Sequence, residues 1–511
     1  MEREYLVTVK NPEEFDGLHA ELTAPGSTIE YIPDREVELV NYRPGSLRTA
    51  HYNLTDEEAA QLRQDPRVLS VELHIRHTPN IRVAPSALQP GLFDKSVTTN
   101  NQLKNWALKS CTNKTNPYTS GSNTQLNSTY PYVLDGENVD IIVVDSGITP
   151  NHPEFAVNPD GTGGSRVKQI DWFAETGLPG SMPVNPYKDE NGHGTHCAGI
   201  AAGNTCGWAR KANIYSIKCI TDYGVPGIDI YSVFDLIRVW HLNKPINPAT
   251  GKKNPTIVNN SWSFISASYG SITRFSYRGQ FYTSTNFSIT QRASYGLVNY
   301  YSQYGGNLHN VRVSSIDAEI QDCIDAGVIV VAAAGNYYHK IDVPGGVDYD
   351  NFYVDAYGPT FYHRGGTPGA APGVICVGNI DATYPEQKSS SSECGPRVDV
   401  WAPGTYIMSS FNAGVSDSRN SAYFLAKLSG TSMASPQVVG NLALMLQMKP
   451  WMTQDDARKW LQTSTVKGRV DNPGTESYTN YKHLQGSENK FLYMPHSGGP
   501  DGKSMTLTIT S

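Results

Sequence analysis

Apolar and polar positions along this 511-residue chain recur at two periods, and the places where one gives way to the other mark its elements. Near the N-terminus a period of two dominates. Tyr5 to Lys10 reads as a strand, and Leu69, Val71, Leu73 and Ile75 face one way in another, with Ser70, Glu72 and His74 opposite. Between them, 13–23 gives a short helix and 36–42 a further strand. Leu54-Thr55-Asp56-Glu57-Glu58 is a capping box, Thr55 bonding towards Glu58, that opens a helix carrying Ala59, Ala60 and Leu62. Residues 1–78 therefore read as a small α+β unit.

From Pro79 to about Asn105 the pattern is irregular, punctuated by Pro79, Pro85, Pro90 and Gly91, as expected of an exposed linker open to nicking. Beyond it the strand segments are apolar throughout: 139–144, 214–219, 256–259 and 328–332. Helical patterns at 194–202, 231–242, 315–326, 436–448 and 453–463 separate or follow them. Unbroken apolar strands alternating with helices predict a parallel sheet covered on both faces. Ligands in such sheets bind at the carboxyl ends of strands, where Asp145 stands.

Composition narrows the function classes. Charged residues make up 17% and the net charge is −7, so there is no basic footprint for nucleic acid and no polybasic membrane patch. No apolar run approaches the ~20 residues of a membrane span. The first ten residues have no apolar core of a secretory signal, and seven scattered cysteines suggest neither a disulfide framework nor a zinc site. The cysteines read as reduced core residues. The expected location is a reducing compartment, cytoplasmic or within a virus particle.

Chemistry concentrates in three stretches. Gly430-Thr431-Ser432-Met433-Ala434-Ser435-Pro436 precedes an apolar-periodic run through Val438, Val439, Leu442, Leu444, Met445 and Leu446. That places Ser432 in the first turn of a buried helix, at its positive end. A hydroxyl is a weak nucleophile without a base and an oriented partner. His193 opens a second helix of small residues, and Asp145 closes the apolar strand 139–144. Singly these are ordinary residues: a cap, a solvated carboxylate, or, for His193 with His196, a core pair or metal ligands.

Together, in the order Asp, His, Ser and with Asn151-His152-Pro153-Glu154-Phe155, these motifs resemble the subtilisin-like serine proteases, over roughly residues 105–494. The resemblance implies an α/β fold: a three-layer subtilisin-like domain with a central parallel sheet, preceded by a small ferredoxin-like α+β domain. Residues 1–78, with Asp65-Pro66-Arg67-Val68, resemble the family's inhibitory propeptide, which acts as an intramolecular partner. Residues 79–104 would hold the processing site, since Trp106-Ala107-Leu108 resembles the start of a mature subtilase. Stretches of about 265–312 and 339–369 have no counterpart in the family. The tail 495–511 carries no assigned function, although Met505 to Ile509 could form an edge strand.

Carried onto this chain, the resemblance implies Ser432 as nucleophile, His193 as general base and Asp145 as its orienting acid. Asn336, within Ala332-Ala333-Ala334-Gly335-Asn336, would donate to the oxyanion. Gly224, Ser261, Trp262, Ser263 and Gly335 would bind substrate, with Trp262 and Ser263 replacing the family's Leu and Gly. Gln437 stands where His is common. Pro372, Val374 and Asp399 align with a structural calcium site. The implied activity is that of an autoprocessed serine endopeptidase acting on protein or peptide substrates. The rival readings are a silent or only self-cleaving structural component, for example of a virus particle, and a metallohydrolase using His193 and His196.

Overall fold

A four-stranded antiparallel sheet in the order Leu39–Asn41, Thr49–Leu54, Arg3–Val9, Val68–Leu73 begins the chain. The computed structural model describes residues 2–77, 81–85, 106–117, 134–221, 227–268, 272–283, 289–297, 307–355 and 358–494. One face of this sheet packs Tyr5, Val7, Tyr52 and Val71 against helices Phe15–Leu22 and Asp56–Leu62. The capping box forms, with the Thr55 N–H donating to Glu58 Oε2 at 2.8 Å and the Glu58 N–H to Thr55 Oγ1 at 3.2 Å.

Two expectations for this unit need correction. Leu69 does not face the core and is 47% exposed. The ladder pairs Val9 with Val68 and Thr8 with Ser70, so Leu69 is the extra residue of a bulge that turns it outward. The strand expected at 36–42 shrinks to Leu39–Asn41, and a strand at Thr49–Leu54 takes the place beside Arg3–Val9.

The second face of that sheet lies on the rest of the molecule. Leu6 joins the core beneath helices Val233–Asn243 and Ser314–Asp325. Arg43 Nη2 donates to Asp235 Oδ2 at 2.7 Å, Ser46 Oγ to Glu319 Oε1 at 2.6 Å, and Arg48 Nη2 to Asp322 Oδ1 at 2.6 Å. The Glu72 carboxylate accepts the backbone N–H groups of Ser314 and Ser315 at 2.8 and 2.9 Å, so it caps the second of these helices from outside.

The main sheet has nine strands in the order Val466–Lys467, Lys490–Phe491, Val400–Pro403, Ile375–Ile380, Ile329–Ala333, Thr256–Asn260, Asp140–Asp145, Asn213–Lys218, Val167–Lys168. All neighbours are parallel except the first pair. Alternation along one buried strand sorts the two faces. Ile141 and Val143 join the core with helices His193–Ala202 and Thr431–Met448, whereas Ile142 and Val144 join the core beneath Val233–Asn243 and Ser314–Asp325. The expected three-layer α/β architecture is therefore present.

The two long stretches expected at about 265–312 and 339–369 come together in the fold. Arg274–Tyr277 pairs with Phe352–Asp355, and Gln280–Thr283 and Gly358–Phe361 flank them in one antiparallel sheet. Phe275, Tyr353 and Tyr362 form its small core, and Asp348 accepts from Arg278 Nε at 2.7 Å and Lys340 Nζ at 2.8 Å. Within the expected linker, Ile81–Pro85 is a strand paired antiparallel with Trp262–Ser268. The remainder of the linker and the tail 495–511, with its expected edge strand, lie outside the described residues.

All seven cysteines are free, six of them buried. Among the described residues, no helix is long and apolar enough to cross a membrane.

Candidate active site

Asp145 ends a central strand at the carboxyl edge of the parallel sheet. Its Oδ1 accepts the His193 Nδ1–H at 2.7 Å and the Ser146 N–H at 2.7 Å. His193 is the first residue of helix His193–Ala202, and the turn before it is held by a carboxylate that sequence reading missed. Asp189 Oδ1 accepts the Gly192 N–H at 2.8 Å, and its Oδ2 accepts the Thr195 N–H at 2.9 Å. Asp189 also takes the Ser146 hydroxyl at 2.9 Å, and that hydroxyl accepts the Gly194 N–H at 2.9 Å. The strand bearing Asp145 and the helix bearing His193 are thus tied by one buried network. Gly194 is required by proximity, because a Cβ there would lie 2.1 Å from the Gly147 carbonyl oxygen.

Burial alone would disfavour a charged His193 imidazole, but the Asp145 carboxylate together with the Cys197 sulfur outweighs it and raises the pKa well above 6.5. His196 shows the opposite behaviour. Its Nε2 contacts the Ala426 carbonyl at 3.0 Å, and burial pushes its pKa down to about 3. The two histidines share a helix but not a ligand cluster, since His193 groups with Asp145 and Cys197. Among the described residues, His196 belongs to neither of the groups of side chains close enough to share an ion, so the His193 and His196 pair expected of a metallohydrolase is not brought together.

Ser432 lies in the first turn of helix Thr431–Met448, fully buried. Its hydroxyl donates to the Ser261 carbonyl at 3.1 Å, and the Ser261 hydroxyl donates to the Ser432 carbonyl at 2.9 Å. Cys197 touches both segments: its Sγ is 3.9 Å from His193 Nδ1 and donates to the Ser432 backbone carbonyl at 3.4 Å. His193 Nε2 is buried without a hydrogen-bond partner among the described residues.

Asn336 Oδ1 accepts the Thr431 N–H at 3.0 Å and the Thr431 hydroxyl at 3.2 Å, which fixes the amide against the turn before Ser432. The Gly335 N–H donates to the same hydroxyl at 3.1 Å. Trp262 and Ser263 lie on the strand that receives Ile81–Pro85, paired with Pro85 and Ala84. The Trp262 side chain is fully buried in the core, beside Phe264. Gly224 lies outside the described residues. Gln437 accepts the Trp208 indole N–H at 2.7 Å, so the departure from His serves a buried contact away from Asp145 and His193.

Residues 136–489 match the subtilase family, Peptidase_S8. The chain belongs to this family. It is 26% identical over 399 residues to a subtilisin-like protease of Coccidioides posadasii, covering 78% of this chain and 60% of that protein. It is 29% identical over 366 residues to subtilisin-like protease 3 of Arthroderma otae, covering 70% and 62%. The chain thus spans about three-fifths of the length of these relatives. A crystal structure of a cold adapted subtilisin-like serine proteinase aligns at 22% identity and TM-score 0.46, covering 77% of this chain and 98% of that one.

In this subtilase two of the three residues expected to ligate calcium, Val374 and Asp399, face guanidinium groups. The Val374 carbonyl accepts from Arg397 Nη2 at 2.7 Å and from Arg458 Nη1 at 3.1 Å. Asp399 gives Oδ2 to Arg397 Nη1 at 2.7 Å and Oδ1 to Arg458 Nη2 at 2.8 Å. A divalent cation bound by Pro372, Val374 and Asp399 would have to share these oxygens with two guanidinium groups. Neither arginine was singled out from the sequence.

Proposed function

We propose that the chain is a serine endopeptidase in which Asp145, His193 and Ser432 hydrolyse peptide bonds through an acyl-enzyme. The observation that carries this reading is the His193 Nδ1 to Asp145 Oδ1 contact of 2.7 Å, with the opposite ring nitrogen buried and without a hydrogen-bond partner among the described residues. With Nδ1 holding a proton for the carboxylate, Nε2 carries the lone pair a general base needs. In this reading the Ser432 hydroxyl gives up the Ser261 carbonyl and passes its proton to that nitrogen. The alkoxide attacks the substrate carbonyl, and the imidazolium, steadied by Asp145, returns the proton to the leaving amine. The Asn336 amide and the Ser432 backbone N–H stabilise the oxyanion.

Residues 1–78 act in this reading as a propeptide and intramolecular inhibitor. Support comes from the strand Ile81–Pro85, which adds to the edge strand Trp262–Ser268 as an extended peptide substrate would. Its direction runs towards Ser261 and hence towards Ser432. Processing then falls beyond Pro85 and before Trp106. Covalent labelling of Ser432 by a fluorophosphonate, insensitive to a zinc chelator, tests the nucleophile. Absence of labelling in a processed, folded chain would contradict it.

A further inference from the structure

We infer that Arg397 and Arg458 together take the place of the calcium ion that the sequence resemblance implies at this position, and that the site binds no calcium. The Val374 carbonyl and both Asp399 oxygens, two of the three expected ligand residues, are already committed to these arginines. Arg397 Nη2 also takes the Ala371 carbonyl at 2.8 Å, and Arg458 Nη1 takes the Gly373 carbonyl at 3.2 Å, so the turn 371–374 gives three carbonyls to guanidinium donors. Hard cations require such oxygens without competing donors.

The charge balance explains why the exchange works. One carboxylate with two guanidinium groups carries the same net charge as one carboxylate with a divalent cation. Arginine's planar fork also offers several donors to carbonyls and a carboxylate at once, and stays charged at every physiological pH.

The arrangement performs the mechanical task of an ion as well. Asp399 Oδ2 accepts the Cys376 N–H at 2.8 Å, which ties it to the strand that follows the turn. Arg458 lies on helix Gln454–Ser464, whose Gln454 donates to the Gly373 carbonyl at 2.7 Å and accepts the Val330 N–H at 2.9 Å. Turn, strand and helix are therefore cross-linked by side chains that cannot dissociate or be chelated.

The test is the thermal midpoint of the full chain bearing Ser432→Ala, which prevents self-digestion, in EGTA and in millimolar calcium chloride. A resident site filled roughly a hundredfold above its dissociation constant would raise the midpoint by several degrees. The inference expects a difference below about 1 °C, within the noise of such a shift. Adding Arg397→Ser and Arg458→Ser should lower the midpoint in EGTA and create a rise with calcium. If that variant does not fold, Arg458→Gln alone should show the drop. A calcium-dependent rise in the Ser432→Ala chain that Asp399→Asn abolishes would overturn the inference. A rise that survives Asp399→Asn places the ion elsewhere and leaves the inference standing.

Discussion

Pro85 pairs with Trp262 across an antiparallel ladder, one residue short of Ser261, whose carbonyl holds the Ser432 hydroxyl at 3.1 Å. The N-terminal segment and the Ser432 hydroxyl thus meet the same stretch of chain, at Trp262 and Ser261. A substrate that binds this edge competes with the chain's own strand, and Ser432 remains bonded to the backbone until something draws its hydroxyl away.

Asp145→Asn should keep the fold but lose the tautomer control that leaves Nε2 free to accept a proton. The expected loss is about 10⁴-fold in kcat, with a smaller change in KM. Steady-state kinetics on a chromogenic peptide measure it, and a loss confined to KM would contradict the assigned role.

Asn336→Ala should lower kcat by about 10²–10³-fold, because the amide serves the transition state rather than the bound substrate. The Thr431 contacts to Oδ1 also position the turn before Ser432, so Asn336→Asp provides a comparison that keeps that acceptor while removing the amide donor. Both variants should be slow.

The pH profile follows from the sign of the His193 shift. The base must be neutral to act, and Asp145 holds its pKa well above 6.5, so kcat/KM should fall with acidification on a limb centred above 6.5. The linked stability runs the other way: a raised folded pKa gives stabilisation present below the unfolded pKa and lost as pH rises through the folded one. In Asp145→Asn the acid limb should move down, because the carboxylate that raises the pKa is gone. An unmoved limb would mean another group controls it.

Arg43 is buried between Asp235, at 2.7 Å, and Glu319, at 3.6 Å. Arg43→Ala leaves those carboxylates without their cation and should destabilise the uncut chain by about 3–5 kcal/mol. Denaturant unfolding in the Ser432→Ala background reads this directly. If the N-terminal unit is removed as proposed, the remaining chain should gain nothing from Arg43.

Much of this architecture was legible in the chain because local rules govern it. The unbroken apolar run ending at Asp145 reads as a buried strand, and the Thr55 to Glu58 spacing gives a helix start that forms as expected. The Thr49–Leu54 strand does alternate polar Thr49, His51 and Asn53 with apolar Ala50, Tyr52 and Leu54, but both of its faces are buried, so the polar positions do not mark a solvent face. Leu69 fails for a different reason, as a one-residue bulge shifts the face of everything before it.

The pairing of Phe275 with Tyr353 joins segments far apart in sequence, and no local period announces it. In the site, Asp145, His193 and Ser432 stand in motifs, but Asp189 does not. It precedes a glycine at the helix cap, so the usual side-chain cap signal is missing. Arg397 lies two residues from Asp399 and could have been weighed as a competitor for calcium, whereas Arg458 comes 59 residues later.

The most direct test of the central claim compares the full chain with its Ser432→Ala variant by intact mass and N-terminal sequencing after folding. The unaltered chain should lose its N-terminal unit, with a new N-terminus after Pro85 and no later than Trp106, and the variant should stay whole. Two chains that both remain uncut under folding conditions, or a variant that is cut as readily, would contradict it.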